Sequence, residues 1–334
     1  MSPGWLVSVR RWLVQVIFLC PISIENPPLY FAAGALSGLM FGEDKDISYR
    51  LVSLMFGALT VIITFFMLYR KNGYIDALIA AGVLASSWEF FEISRWILVD
   101  IALVFGVTLA MYAYLRWIDR RKLVDSIILG IALGIAFMAK GLVGPAIIAA
   151  AIITDIVRQR DIRIIWSLRP VLVIIIMLLA IMPWMIGLYN RGGWPFVREV
   201  IVVNNIMRFT GAAEGAALGH QQGIFSYLGY FPKGFLPWTF LFIPAFVASV
   251  RRAKDNPYVS WFIGPFILMS IASTKRGIYL VPIYPAAACM VATWLGEKSH
   301  MRWEDVMIKI TWIIAILGCF YLLLAFFWGT PSLV

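Results

Sequence analysis

The sequence predicts an all-α fold, a polytopic membrane bundle of about ten spans preceded by amino-terminal interfacial helices. Three observations predict it. Hydrophobic residues make up 62% of the 334 and charged residues 14%, against roughly 45–50% and about 25% in soluble domains. A water-soluble fold cannot hide that much apolar surface. Apolar stretches near the ~20 residues that a bilayer core requires recur along the chain. Basic residues crowd into alternate connections between them. The net charge of +10 is therefore a matter of sidedness, and a nucleic-acid partner is excluded. Cys20, Cys289 and Cys319 each sit in an apolar run and form neither a disulfide framework nor a metal-ligand pattern.

The whole chain, 1–334, reads as one integral membrane domain. Residues 1–45 form an interfacial amino-terminal segment, and 46–330 a transmembrane bundle. Within residues 5–24 two arginines interrupt the apolar run, leaving about 13 residues, too few to span, so an interfacial helix is expected. Residues 28–42 (PLYFAAGALSGLMFG) read as a second interfacial or re-entrant helix. Spans follow near 48–69, 74–91 and 96–115. The pair 126–139 and 141–157 is short and reads as two half-buried helices meeting at Lys140. Further spans are expected near 170–190, 224–249, 257–273, 277–295 and 308–328. The longest extramembrane segment is the loop 190–224, which mixes glycines, Asn204, Asn205, Arg208 and His220.

Alternating the spans with Arg70 and Lys71 inside gathers 16 basic residues on one face and ten on the other. The first face holds dense clusters such as Arg116, Arg120, Arg121 and Lys122, while the second holds scattered single residues. This is the positive-inside pattern. It turns the second face toward the periplasm or an equivalent compartment.

Ionisable groups near lipid persist when they are paired, wet or functional. The outer end carries Glu25, Glu89, Glu92, Arg95, Asp100, Lys140, Arg208, His220, Lys233, Lys275 and Arg276. Lys233, Lys275 and Arg276 also read as snorkelling residues, and Glu89 with Arg95 as a loop ion pair. Asp100 lies four residues into an apolar span, five after Arg95. Lys140 stands between two apolar helices in AKGLVGP, a costly place unless it faces a cavity or an anion. His220 has the chemistry of a metal ligand, a general base or a phosphate contact.

A series of short blocks then occurs in order: ENPPLYF (25–31), FG (41–42), YRLVS (49–53), SRWILVD (94–100), AKGLVGP (139–145), MPW (182–184), NNIMRF (204–209), His220, GFLPW (234–238) and STKRGIYLVPIYPAAA (273–288). In order and placement the series resembles the bacterial protein O-mannosyltransferase-like and lipid A aminoarabinose transferase-like membrane glycosyltransferases. The likeness runs from about Glu25 to Leu295. It implies the C-type glycosyltransferase fold, a polyprenyl-phosphate sugar as donor, and a glycolipid, glycan or protein as acceptor on the non-cytoplasmic face.

Carried over residue by residue, the resemblance makes Glu25 and Asp100 the catalytic candidates. Arg95, Lys140, Arg208, His220, Lys275 and Tyr279 become the donor-phosphate set. In the Glu-Lys-Pro-Pro element of the family, Asn26 replaces the lysine here. Cations near the departing phosphate stabilise the charge it acquires, and a carboxylate on the acceptor side orients or deprotonates the nucleophile. Two readings of Glu25 and His220 stay open, with and without a divalent cation bridging them to the phosphate.

The family pattern begins with a transmembrane helix and a loop bearing an Asp-Glu or Asp-Asp pair, and neither precedes Glu25 here. The expectation is a late-assigned start or a truncated gene. The alternative is a divergent or inactive member acting as a membrane partner, in which Glu25 or Asp100 assumes the role. A secondary transporter, the remaining class, predicts inverted repeats and polar groups at the midplane. Neither is legible.

Overall fold

The computed structural model describes residues 27–42, 46–211, 222–252 and 256–297, with residues 306, 309, 311 and 313 of the terminal stretch. The segment 5–24 and nearly all of the span expected at 308–328 lie outside the described residues. The fold is all-α, with no strands among the described residues. Helix α1 (Leu29–Phe41) is followed by α2 (Asp46–Asn72), α3 (Tyr74–Ser86), α4 (Trp88–Arg95), α5 (Asp100–Arg120), α6 (Leu123–Lys140) and α7 (Val143–Gln159). A short α8 (Arg163–Ser167) leads to α9 (Pro170–Arg198), then α10 (Ser226–Gly234), α11 (Thr239–Arg251), α12 (Pro257–Ile271) and α13 (Tyr284–Leu295).

Five helical stretches among the described residues are long and apolar enough to cross a membrane, or seven if each of two bent pairs is one span. The bends correct two expected spans. The segment read as 74–91 breaks at Ser87, where α3 and α4 meet at 66°. The segment read as 224–249 breaks between α10 and α11 by 114°. Pro237 lies at the second break, where a missing N–H and a fixed φ favour a corner over a continuous helix. Of the loop expected at 190–224, the described part up to residue 211 is largely helical: α9 runs on past a kink at Gly193 and passes into π-helical turns over Glu199–Met207. The expected pair meeting at Lys140 is present as α6 and α7.

Small residues set the approach of the helices, as lipid-embedded packing requires. Gly106 of α5 and Gly144 of α7 both abut the backbone of Ala136 on α6, where an added Cβ would lie 2.7–3.1 Å from its atoms. Gly130 and Gly134, four residues apart on α6, face Ile176 and Ala180 of α9 in the same way. The stretch Gly277–Leu295 forms the centre of the bundle, with 78% of its apolar window buried, whereas Pro170–Met207, with 22% buried, is peripheral. An aromatic cluster of Phe231, Phe235, Phe242, Phe262 and Tyr284 fills the corner made by α10 and α11.

Candidate functional site

Helices α5 and α6 are antiparallel neighbours, so the first residue of α5 stands beside the last residue of α6. These are Asp100 and Lys140, and the lysine ammonium donates to Oδ1 of the aspartate in a short charged contact. The Asp100 side chain is 6% exposed and that of Lys140 16%. A carboxylate at a helix amino terminus and an ammonium at a carboxyl terminus are both favoured by the helix dipole. Lys140 Nζ also lies 4.1 Å from the ring centroid of Tyr279, over its face, and such a contact adds about 0.5–2 kcal/mol.

Backbone geometry holds the lysine. The chain leaves α6 through Gly141 at φ +65°, and a Cβ there would come within 2.7 Å of Asn205 Oδ1. That oxygen accepts the Leu142 N–H at 2.8 Å, while the Asn205 amide donates to the Val200 carbonyl. A glycine and an asparagine, 64 residues apart in sequence, thus fix the turn that presents Lys140.

Lys140, Gly141, Asn204, Asn205, Thr274 and Tyr279 are among the residues that line a cleft of about 800 Å³, open mouth included. Leu103, Val143, Ala146, Leu268 and Met269 form an apolar wall. Pro27 of the ENPPLYF block lines it too, as does Phe209, the residue after Arg208. The cleft therefore offers one ammonium, two amides and a phenol ring beside a hydrocarbon surface.

The remaining expected residues fall differently. Arg95 is exposed and pairs with Glu92 at 3.6 Å, its guanidinium stacked over Phe91; the partner of Asp100 is Lys140. Lys275 is 3% exposed, and its ammonium donates to the backbone carbonyls of Gln222 (3.1 Å) and Ala272. It is not among the residues lining the cleft. The carboxyl end of α12 supplies a carbonyl at close range, which captures the ammonium, and burial pushes its pKa below the ordinary lysine range. Glu25, His220 and the side chain of Arg208 lie outside the described residues. Among the described residues no three His, Cys, Asp or Glu side chains gather as metal ligands would.

Two supporting residues escaped the sequence reading. Tyr30 hydroxyl contacts Ser53 Oγ at 2.6 Å, and Ser53 in turn donates to the Trp96 carbonyl at 2.6 Å. This relay from α1 through α2 fixes the connection that ends in Asp100. Both residues stood in the ENPPLYF and YRLVS blocks, which was the available signal.

Residues 22–191, just over half of the chain, match the family described as dolichyl-phosphate-mannose-protein mannosyltransferase. The chain belongs to that family. An undecaprenyl phosphate-alpha-4-amino-4-deoxy-L-arabinose arabinosyl transferase of Pectobacterium atrosepticum is 24% identical over 304 residues, covering 88% of this chain and 53% of the relative. An uncharacterized protein of Aquifex aeolicus is 24% identical over 328 residues, covering 96% and 64%. The chain thus spans about half the length of the arabinosyl transferase it matches.

Among solved structures, ArnT from Cupriavidus metallidurans bound to undecaprenyl phosphate superposes with a TM-score of 0.78 at 19% identity, covering 100% of this chain and 67% of that one. The archaeal oligosaccharyltransferase AglB from Archaeoglobus fulgidus, in complex with an inhibitory peptide and a dolichol-phosphate, gives 0.55 at 14% identity, covering 92% and 49%. These likenesses establish the fold. The family member described here is an integral membrane protein with the C-type glycosyltransferase architecture.

Proposed function

We propose that this chain is the membrane core of a glycosyltransferase that takes a sugar from a polyprenyl phosphate and passes it to an envelope acceptor at the periplasmic face. The observation that carries the reading is Lys140, a shielded ammonium held between Asp100 and Tyr279 in the lining of a largely apolar cleft. A lipid-linked phosphate needs both halves of that arrangement. The apolar wall takes the prenyl chain, at about 0.8 kcal/mol per buried CH₂, and the ammonium meets the phosphate.

In the reaction, the acceptor oxygen attacks the anomeric carbon of the donor sugar. The bond from that carbon to the phosphate oxygen breaks, and its electron pair stays on the phosphate. The polyprenyl phosphate leaves with one more negative charge than the diester had. Lys140 stabilises that charge where the low dielectric makes the interaction strong. Where the acceptor is a hydroxyl, its proton leaves for a carboxylate. Asp100 is engaged by Lys140 and acts as its positioning residue, which leaves Glu25 of the ENPPLYF block as our candidate for the group that takes the proton. Asn204 lines the cleft beside Lys140, and Asn205 acts on the donor through the turn that presents the lysine. The acceptor class is lipid A, another glycan or a protein.

The names of the relatives support this reading: the arabinosyl transferases are described by an undecaprenyl phosphate donor, and one structural neighbour holds undecaprenyl phosphate itself. The test is transfer by the full-length gene product, in native membranes, from undecaprenyl-phosphate sugars radiolabelled in the sugar. Label moving to lipid or protein, and lost in Lys140→Ala, supports the proposal. Label that stays on the donor with every envelope fraction offered contradicts it.

A further inference from the structure

A second concave site lies at the opposite end of the bundle. Helix α5 runs from Asp100 to Arg120, and at 1.5 Å per residue Arg116 is about 24 Å from the Lys140 pair. There the last turns of α2, α5 and α7 surround a pocket of about 910 Å³, open mouth included. Its charged lining is Arg70, Lys71, Arg116, Arg158 and Asp119, and Met67 and Leu115 form part of its apolar wall.

Two of these guanidinium groups are anchored from behind. Arg158 donates through Nε and Nη2 to Asp155 Oδ1 at 2.9 and 2.7 Å, and Asp155 is 1% exposed. Tyr114 and Gln159 donate to the other oxygen of that carboxylate. Arg116 Nε stands 3.0 Å from the fully buried Asp125. The buried carboxylates hold both side chains in orientations that line the pocket. Arg70 and Lys71 reach its rim from the exposed last turn of α2.

Among the described residues, counting the anchors, four cations stand with three carboxylates, so the basic groups outnumber the acidic ones there. Helix dipoles favour basic side chains at these carboxyl ends. That accounts for rim residues such as Arg70, but not for two guanidinium groups pinned by buried aspartates around a hollow. Guanidinium groups held in place are weakly hydrated cations that suit phosphate oxygens, and basic pockets between membrane helices at the positively charged face take anionic headgroups.

We infer that this pocket binds an anionic phosphate group, that of a lipid headgroup in the leaflet at the basic end or of a soluble phosphate ester. The length of α5 sets it about 24 Å from the Lys140 cleft, most of a ~30 Å hydrocarbon thickness, so a cleft near one bilayer surface brings the pocket near the other. The apolar wall beside the cations suits an acyl-bearing ligand.

The experiment is native mass spectrometry of the purified full chain, titrated with tetraoleoyl cardiolipin or dioleoyl phosphatidylcholine. A one-to-one adduct with the anionic lipid, favoured over the zwitterionic one, is expected. The exposed double variant Arg70→Gln/Lys71→Gln weakens it tenfold or more, at about the energy of two surface cations. Arg163→Gln, an exposed residue at the same end outside the pocket lining, leaves it unchanged. Displacement by inorganic pyrophosphate assigns the site to a soluble phosphate, and resistance assigns it to the headgroup. Equal adducts with both lipids, or equal losses in Arg163→Gln and the double variant, overturn the inference.

Discussion

Lys140, the last residue of one helix, donates to Asp100, the first residue of the helix packed antiparallel against it, and both side chains are largely removed from solvent. A pair of this kind has a characteristic response to mutation. Removing one partner leaves a buried charge alone and costs about 3–5 kcal/mol, whereas replacing both is far milder. Lys140→Met and Asp100→Leu are each expected to lower thermal stability strongly in detergent, and the double variant to recover most of it. A double variant no more stable than the singles contradicts a direct pairing.

Asn205 is expected to act on the cleft through the turn after Lys140. Asn205→Ala leaves the Leu142 N–H without its partner, at a cost of about 1–3 kcal/mol. Gly141→Ala forces a Cβ into the φ +65° conformation and against Asn205, with a penalty of about 1–2 kcal/mol. Both changes are expected to weaken donor binding severalfold in protein that still inserts and folds, measured by equilibrium binding in nanodiscs.

Tyr30→Phe removes the first hydroxyl of the relay that ends at the Trp96 carbonyl. The expected loss of stability is about 0.5–1.5 kcal/mol. Turnover falls and the donor KM rises together, because displacing Asp100 also moves the Lys140 ammonium that it holds. A rise in KM alone points instead to a role for α1 in donor binding.

Lys275 is expected to separate structure from binding. Its ammonium serves carbonyls of Gln222 and Ala272, so Lys275→Met lowers the melting temperature by the equivalent of about 1–3 kcal/mol. Donor affinity of the folded protein stays within twofold of wild type. A large drop in affinity at unchanged stability restores the phosphate-binding role expected from the sequence.

The reach of the sequence varied with the kind of information each residue carries. Asp100 and Lys140 were legible because an ionisable group inside an apolar run has few inexpensive environments. That they meet was not, since a spacing of 40 residues does not reveal which helix ends are neighbours. The break between α10 and α11 was missed because the 224–249 stretch is apolar on both sides of Pro237, and hydropathy does not register a corner. The π-helical turns at Glu199–Met207 hide in a segment whose glycines lie on either side of them and whose paired Asn204 and Asn205 favour a loop, although Asn205 serves the turn after Lys140. Lys275 was assigned to the cleft from its block alone. A carbonyl at the end of α12 lies nearer, and local backbone acceptors decide where a buried ammonium turns.

The central claim is that the Lys140 ammonium binds the donor phosphate, and the most direct measurement is the Kd of undecaprenyl phosphate in nanodiscs. Wild type is compared with Asp100→Asn/Lys140→Gln, which removes both charges without stranding either. Loss of a charge-assisted hydrogen bond, about 1.5–3 kcal/mol, predicts an affinity roughly 10- to 100-fold weaker in the double variant at comparable stability. An unchanged Kd contradicts the claim.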